Sequence, residues 1–391
     1  MRTELQYMRL ALRLARRGYG VTSPNPMVGA ILVKRGRIIG SGWHRRAGEA
    51  HAEIEAIRDA EQRKQSIKGA TLYVTLEPCC TQGRTPPCTQ AIIAAGIKKV
   101  MVGATDPNPR HSGRAFAILK RASVVVSHGV LEEECASLNE AFNHWIVHGT
   151  PFVTIKAAMS LDGKIATAAG ESKWITSEPA RKFGMELRQR ADAILVGINT
   201  ILADDPSLTA RGHKPARRHQ KQLRRIVLDT MGRTPLHAKV VSDEQHASTT
   251  IVVSESAQKK RVSALAKRVR VLVAPFVQLR KRDVHHLRAA PPPTRLDLGW
   301  ILRTLGGEQI TSLLVEGGGE VNASFLFHGF AQRVAFFYAP KVLGGRDSVR
   351  AVAGEGASSL EDALRLTDFR WRRLGPDLLL TARLENSEFK L

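Results

Sequence analysis

His51-Ala52-Glu53, a following apolar run, and then Pro78-Cys79 and Pro87-Cys88 bring an imidazole, a carboxylate and two thiols into one short stretch of the chain. One histidine and two cysteines are the protein ligands of an open catalytic zinc site, whose fourth position takes a water with a pKa lowered to about 7. A closed structural site would want a fourth Cys or His nearby. Residues two apart do not share a helix face, so Glu53 fits a proton shuttle beside the metal better than a ligand alongside His51. Pro87 suits the first turn of a helix running from Cys88 through Ala95 to a stop at Gly96. The Cys88 sulfur then sits at a helix N-terminus, where the dipole favours thiolate.

A single histidine is more often a satisfied polar residue, and a single cysteine a small buried hydrophobe. The order of these residues, bounded by two prolines, outweighs that: H-x-E followed by P-C is the pattern of zinc nucleobase deaminases, in which the glutamate moves protons. Cys80 directly follows the expected ligand Cys79 and is the competing thiol, although neighbouring side chains diverge. Cys135 falls in a helical stretch and reads as core. Asn25, between Pro24 and Pro26 ahead of a buried strand, is either a turn residue or a pocket amide.

These groups need a frame. Residues 4 to 17 set Leu5, Met8, Leu12 and Ala15 at helical spacing and stop at Gly18, which predicts an amphipathic helix covering a sheet face. Val28 to Val33, Lys34 to Arg37 and Ile38 to Gly40 read as a hairpin. A helix from His51, a strand Thr71 to Leu76, the Cys88 helix, a strand Val100 to Gly103, a helix Arg114 to Lys120 and a strand Val124 to Val126 then alternate. That alternation implies a mixed or largely parallel sheet between helices, with the metal at strand ends and helix starts. Glu132 to Trp145 reads as one helix, and His148-Gly149-Thr150-Pro151 as a break before a second domain.

In the second half, Phe152 to Ala158, Ala193 to Gly197, Arg225 to Leu228, Ile251 to Val253, Val271 to Val273 and Ser312 to Glu316 are short β-type runs. Helices are expected over Glu178 to Arg190, near Leu298 and over Val321 to Phe327. Gly317-Gly318-Gly319, between a strand and a helix start, is an anion cradle; lacking the G-x-G-x-x-G form, it is a weak signal by itself. His285 to Arg295, with three prolines, reads as a surface loop.

At 391 residues the chain suits two domains. It has no apolar run long enough to span a membrane and no cleavable leader, and four cysteines fit a reducing compartment, so a cytoplasmic protein is expected. The net charge of +23 is spread over both halves. Its densest run, Arg211 to Arg225, contains proline and no interleaved aromatic residue. It reads as a solvated loop and not as a single-strand binding surface. The excess favours anionic substrates by steering.

Asn25-Pro26-Met27-Val28-Gly29, His51-Ala52-Glu53, Glu77-Pro78-Cys79 through Pro87-Cys88, Ser160-Leu161-Asp162-Gly163-Lys164, Ser172-Lys173-Trp174-Ile175-Thr176, Leu202 through Arg211 and Val315-Glu316-Gly317-Gly318 follow one another in this order. Through these motifs, and over nearly its whole length, the chain resembles the bifunctional riboflavin-biosynthesis enzymes that join a pyrimidine deaminase to a pyrimidine-ribosyl reductase. The resemblance implies an α/β fold: a cytidine-deaminase-like α/β/α domain over residues 1–148, then a dihydrofolate-reductase-like α/β domain over residues 149–391. It implies zinc on His51, Cys79 and Cys88, proton transfer by Glu53 and a pyrimidine contact from Asn25. It places NADPH against Ala158, Trp174, Thr200, Asp204 and the run Gly318, Glu320, Val321, Asn322, Ala323 and Ser324 with Gly319. Substrate would meet Lys156, Ser172, Arg188, Leu208, Arg211 and Glu316. The implied substrate is a phosphorylated pyrimidine ribosyl compound, deaminated by the first domain and reduced to a ribityl by the second. A homo-oligomer is expected, with no nucleic acid or membrane partner.

The chain departs from the family at Cys80-Thr81-Gln82, where Ser-His-His or Ser-His-Tyr is usual, at Gln332-Arg333, where an Asp-Glu pair is usual, and at Gly232, where a bulky residue is usual. Reduced or altered substrate contacts are the expected consequence, with deamination retained. A nucleic-acid deaminase is the rival enzyme, opposed by the eight residues between Cys79 and Cys88, where such enzymes have two. A zinc-stabilised binding module is the rival of another class, and it would have no use for Glu53.

Overall fold

Five short apolar runs become the strands β1 (Gly29–Lys34), β2 (Arg37–Trp43), β3 (Thr71–Leu76), β4 (Lys99–Ala104) and β5 (Val125–Ser127) of the first of two compact units, Met1–Thr150. The structure is a computed structural model and describes residues 3–82, 86–210, 222–276 and 295–385. The strand order is β2-β1-β3-β4-β5, antiparallel on the β1 side and parallel from β3 to β5. Successive side chains leave a strand on opposite faces. Ile31, Val33, Tyr73 and Met101 therefore meet α1 (Glu4–Ala15) and the buried Cys135 on one face. Leu32, Leu72, Val74, Val100 and Val102 meet α2 (Ala52–Gln62), α3 (Cys88–Ala94) and α4 (Arg114–Arg121) on the other. The hairpin turns through Arg35 and Gly36, both left-handed at φ 49° and 74°, as a two-residue turn between twisted strands requires.

The stretch expected as one helix is two, α5 (Glu132–Leu138) and α6 (Glu140–His148). Asn139 interrupts it. Its side chain accepts from the Met27 N–H at 2.7 Å and donates to the Met27 carbonyl at 2.9 Å, while its own backbone leaves the helical region. Those two bonds anchor the loop that carries Asn25.

The second unit, Pro151–Leu391, is built on strands β6 (Phe152–Ser160), β8 (Ala193–Gly197), β9 (Arg224–Leu228), β10 (Thr249–Ser254), β11 (Arg270–Ala274), β12 (Ser312–Val315), β13 (Arg333–Ala339), β15 (Leu366–Leu374) and β16 (Asp377–Leu384), with a separate small pair of β7 (Lys164–Ala166) and β14 (Val349–Arg350). The large sheet has the order β11-β10-β9-β8-β12-β6-β13-β16-β15, parallel from β11 to β13 and antiparallel beyond. Strands β13 to β16 lie outside the elements expected from sequence. β15 interrupts its apolar residues with Arg370, Arg372 and Arg373 and is exposed along most of its length, so it lacks the uniform run that marks the buried parallel strands. The helices are α7 (Glu178–Arg190), α8 (Ile198–Asp204), α9 (Lys239–Ser242), α10 (Lys259–Ala266), α11 (Leu298–Gly307) and α12 (Gly319–Phe327). No helix among the described residues is long and apolar enough to cross a membrane.

β12 lies between β8 and β6, so the residues after Val315 emerge at the carboxyl ends of parallel strands, where open α/β sheets bind ligands. Gln332 and Arg333 sit at the opposite end of these strands. The buried Gln332 amide accepts from the Val153 N–H at 2.7 Å and donates to the Phe330 carbonyl, and Arg333 lies over the Phe152 ring. These contacts brace the sheet at this departure. Gly232 has φ 67°, a left-handed turn position that glycine takes without strain. Of the basic run, residues 211–221 lie outside the described residues, and Arg225, which ends that run and opens the strand expected over Arg225 to Leu228, is fully buried in β9. Most of the proline loop, residues 277–294, also lies outside them.

Candidate active sites

His51 is the residue that opens α2, Cys79 follows β3, and Cys88 is the first residue of α3. The His51 Nδ1 lies 3.4 Å from the Cys79 Sγ and 3.3 Å from the Cys88 Sγ, and the three donor atoms all fall within 4.8 Å of one another. Zinc bonds of roughly 2.0 Å to nitrogen and 2.3 Å to sulfur set tetrahedral N-to-S edges of about 3.5 Å, so this donor set fits the metal. Cys80 points away: its Sγ is 3.7 Å from the His111 Nδ1. The competing thiol is thus outside the cluster.

The Cys88 backbone N–H, at the start of α3, donates to the Cys79 Sγ at 3.3 Å. A bond from the Cys88 thiol, helped by His51, holds Cys79 down to about 4, while the Cys88 thiol itself is pushed up by the same bond and by burial. The helix start serves the sulfur it faces and not the one attached to it.

Glu53, in the first turn of α2, is buried against this cluster. Burial pushes its carboxyl up to about 7 even though the His51 imidazole pulls it down. Asn25 reaches the same site through a residue missed in the sequence. The buried His44 places its Nε2 3.1 Å from the Asn25 Nδ2, its Nδ1 3.1 Å from the Ala50 carbonyl, and its ring edge-on to His51. Only a pattern linking position 44 to the metal histidine would have signalled it. Glu77, also buried, accepts from the backbone N–H groups of Asp106, Gly113 and Ala115, and so ties the loop bearing His111 to the metal loop. Thr81 meets the His111 ring at 3.5 Å, so the departure at Cys80-Thr81-Gln82 faces an imidazole from another loop.

In the second unit, Glu316 follows β12 directly and receives both Arg188 from α7, at 2.8 Å through Nε and 2.8 Å through Nη2, and Lys156 from β6 at 3.5 Å. Burial alone would raise the Glu316 carboxyl; the Lys156 and Arg188 charges overcome it and hold it down to about 2. Arg188 Nη1 also donates to the Thr209 carbonyl. Ser172 donates to the Asp204 carboxylate at 3.0 Å, and Lys173 pairs with it at 3.6 Å. Leu208, between these two groups in sequence, is buried with a left-handed backbone. Thr200 is half-buried in α8, and Ala158 lies on β6 against the cluster of Ala180 and Phe337. Arg211 lies outside the described residues.

The glycine loop fits a dinucleotide phosphate. A side chain on Gly317 would collide with Val321, and one on Gly319 with the Arg350 carbonyl, whereas Gly318 faces open space. α12 begins there with its first N–H groups unpaired within the helix. Beside Gly317, the buried Asn322 donates to the Ala351 carbonyl while its Oδ1 has no partner among the described residues. Trp174 is 66% exposed, with Arg181 over its ring at 4.6 Å and Lys341 donating to its carbonyl.

The metal assignment has a direct test. One zinc per chain, measured by elemental analysis, should survive Cys80→Ser and be lost in Cys79→Ser and Cys88→Ser; the reverse result for Cys79 and Cys80 would exchange their roles.

Residues 151–380 match the family described as RibD C-terminal domain, and residues 1–104 match the cytidine and deoxycytidylate deaminase zinc-binding region. The riboflavin biosynthesis protein RibD of Actinobacillus pleuropneumoniae is 42% identical over 379 residues, 97% of this chain and 94% of that one. The solved structure of Acinetobacter baumannii RibD, form 1, superposes with a TM-score of 0.82 at 35% identity, covering 98% of this chain and 99% of that one. A diaminohydroxyphosphoribosylaminopyrimidine deaminase/5-amino-6-(5-phosphoribosylamino)uracil reductase from Thermotoga maritima superposes at 0.78 with 34% identity, covering 97% and 98%. Matches that run through both halves disfavour a nucleic-acid deaminase with an accessory domain. The chain belongs to the RibD family of riboflavin biosynthesis proteins, and is a bifunctional deaminase with a zinc-binding domain and an NADPH-dependent reductase.

Proposed function

We propose that residues 1–148 remove the 2-amino group of 2,5-diamino-6-ribosylamino-4(3H)-pyrimidinone 5′-phosphate, and that residues 149–391 reduce the ribosyl group of the product to ribityl. The observation that carries the first step is Glu53, a buried carboxyl raised to about 7 beside a cluster of one imidazole and two thiols. The activity in the name of the Thermotoga maritima relative supports the same substrate.

Zinc, when held by His51, Cys79 and Cys88, supplies the Lewis acid that makes water nucleophilic near neutral pH. Glu53 accepts a proton and returns it, which a carboxyl titrating near 7 does with little driving force lost either way. Asn25, steadied by His44, contacts the pyrimidine edge. In the second unit NADPH supplies the hydride. The Gly318 to Ser324 segment receives its phosphates on backbone N–H groups, with Ala158, Trp174, Thr200 and Asp204 along the rest of the cofactor. Glu316 remains anionic between Lys156 and Arg188 and accepts from the ribosyl hydroxyls; Ser172, Leu208 and Arg211 complete the substrate side.

We infer as well that the chain forms a homo-oligomer of cytoplasmic location. β15 closes one edge of the nine-stranded sheet with Phe369 65% and Trp371 57% exposed. An exposed apolar edge strand is a pairing surface, and a second copy would cover it. Sedimentation should show a dimer or larger that dissociates in a Phe369→Glu, Trp371→Glu double variant; a monomeric parent chain rejects this.

Removing a general acid/base typically costs roughly 10² to 10⁴ in rate, so Glu53→Gln should keep its zinc and lose deamination by about that factor, with reduction of pre-deaminated substrate unchanged. Equal loss of both activities would make Glu53 a structural residue. Glu316→Ala should raise KM for the ribosyl phosphate far more than KM for NADPH in steady-state kinetics. Weakened NADPH binding with substrate binding spared would reverse the two ends of the pocket.

A further inference from the structure

Leu208 is buried and left-handed at φ 50°, and Asp205 before it has φ 41°. Residues with a side chain persist in that region only where their surroundings over-determine them. Here the carbonyls on either side of Leu208 are each held by an arginine. Arg188 Nη1 donates to the Thr209 carbonyl at 3.1 Å, and Arg225 Nη1 donates to the Ser207 carbonyl at 3.0 Å. Arg188 belongs to the Glu316 cluster. Arg225 comes from β9, is 0% exposed, and takes no part in that cluster.

All five N–H groups of Arg225 are engaged. Nε donates to the Thr249 hydroxyl at 2.9 Å, Nη1 and Nη2 to the two Asp243 oxygens at 2.7 and 2.8 Å, Nη2 to the Val240 carbonyl at 3.2 Å, and Nη1 to Ser207. The same segment steadies Asp205, whose carboxylate accepts from the Lys239 backbone N–H at 2.9 Å and whose carbonyl accepts from the Lys239 ammonium at 3.0 Å. A buried ion pair is a weak source of net stability, because desolvation offsets the attraction. What a planar guanidinium adds is direction: five bonds leave the Ser207 carbonyl one place to be.

We propose that Arg225 is a positioning residue of the reductase. With Asp243 it fixes the Ser207 carbonyl on one side of the core-packed Leu208, so that the loop presents the Thr209 carbonyl on the other side to Arg188 of the Glu316 cluster. The proposal rests on the reading of that pocket as the ribosyl phosphate site.

The test uses the full zinc-loaded chain. Arg225→Lys keeps the charge but not the fork that holds Asp243 and Ser207 together. It should raise KM for the deaminated ribosyl phosphate about tenfold, the loss of one oriented contact. Its kcat should fall by less, KM for NADPH and the deamination rate should stay unchanged, and backbone amides in residues 204–210 should exchange faster. Asp243→Asn, which loosens the guanidinium without removing it, should move the same quantities in the same direction by less, and it decides the matter if Arg225→Lys does not fold. An unchanged KM for the ribosyl phosphate in a folded variant, or a fall in kcat and thermal stability with both KM values raised in parallel, marks a merely structural ion pair and overturns the proposal. If the parent chain does not turn over the ribosyl phosphate, the functional reading fails on its own account; the amide exchange, which needs no substrate, still decides whether Arg225 holds the loop.

Discussion

A charge taken out of water costs several kcal/mol unless polar or oppositely charged atoms meet it in place, and this molecule meets that condition at three points. Glu316 is met by Lys156 and Arg188, Arg225 by Asp243 with a ring of carbonyl and hydroxyl acceptors, and Cys79 by His51 and the Cys88 N–H. Each cluster joins distant stretches: Arg188 and Glu316 are 128 residues apart, and His51 and Cys88 37 apart. Neither site can form until the sheet beneath it has brought those stretches together. The geometry of the chemistry is therefore a consequence of strand order.

The exception to that rule is Glu53. It is as buried as the others, yet the imidazole near it does not compensate the loss of water, and its carboxyl rises to about 7 instead of falling. Glu316, with two cations against it, falls to about 2. Two glutamates at comparable depth thus take opposite roles. One carboxyl is raised to about 7, and the other stays an anion. The difference lies in the number of cations each neighbourhood supplies.

Both sites also use the same local device, a chain leaving a strand and entering a helix. At Cys88 the first N–H of α3 goes to a neighbouring sulfur, and at the start of α12 no side chain caps the helix and the space beside Gly318 is open. The glycines differ in reason: Gly317 and Gly319 are excluded from carrying a side chain by Val321 and by the Arg350 carbonyl, whereas Gly318 leaves an approach clear. Close packing around two glycines creates the opening at the third.

Much of this was readable from local pattern. The continuous apolar runs of β1 and β3, the Arg35-Gly36 turn, the Pro87 helix start and the grouping of His51, Cys79 and Cys88 all follow from residue types and spacing within an element or from ligand chemistry. What failed were readings whose answer depended on residues far away. Asn139 breaks an otherwise continuous helical pattern because Met27, 112 residues earlier, offers both halves of a peptide group to its amide. Arg225, read both as the end of a solvated basic run and as the first residue of a strand, is the buried strand residue, because Asp243, Thr249 and Ser207 are gathered around it by the parallel packing of β8, β9 and β10. His44 and its link between Asn25 and the metal histidine had no local signature. Sequence alone determined the elements and the kind of chemistry, since periodicity, turn propensity and ligand type act over a few residues. The tertiary structure decided which thiols face the metal histidine, which carboxylate stays charged and which arginine is buried, because those depend on burial and on partners that only the folded sheet places within hydrogen-bonding distance.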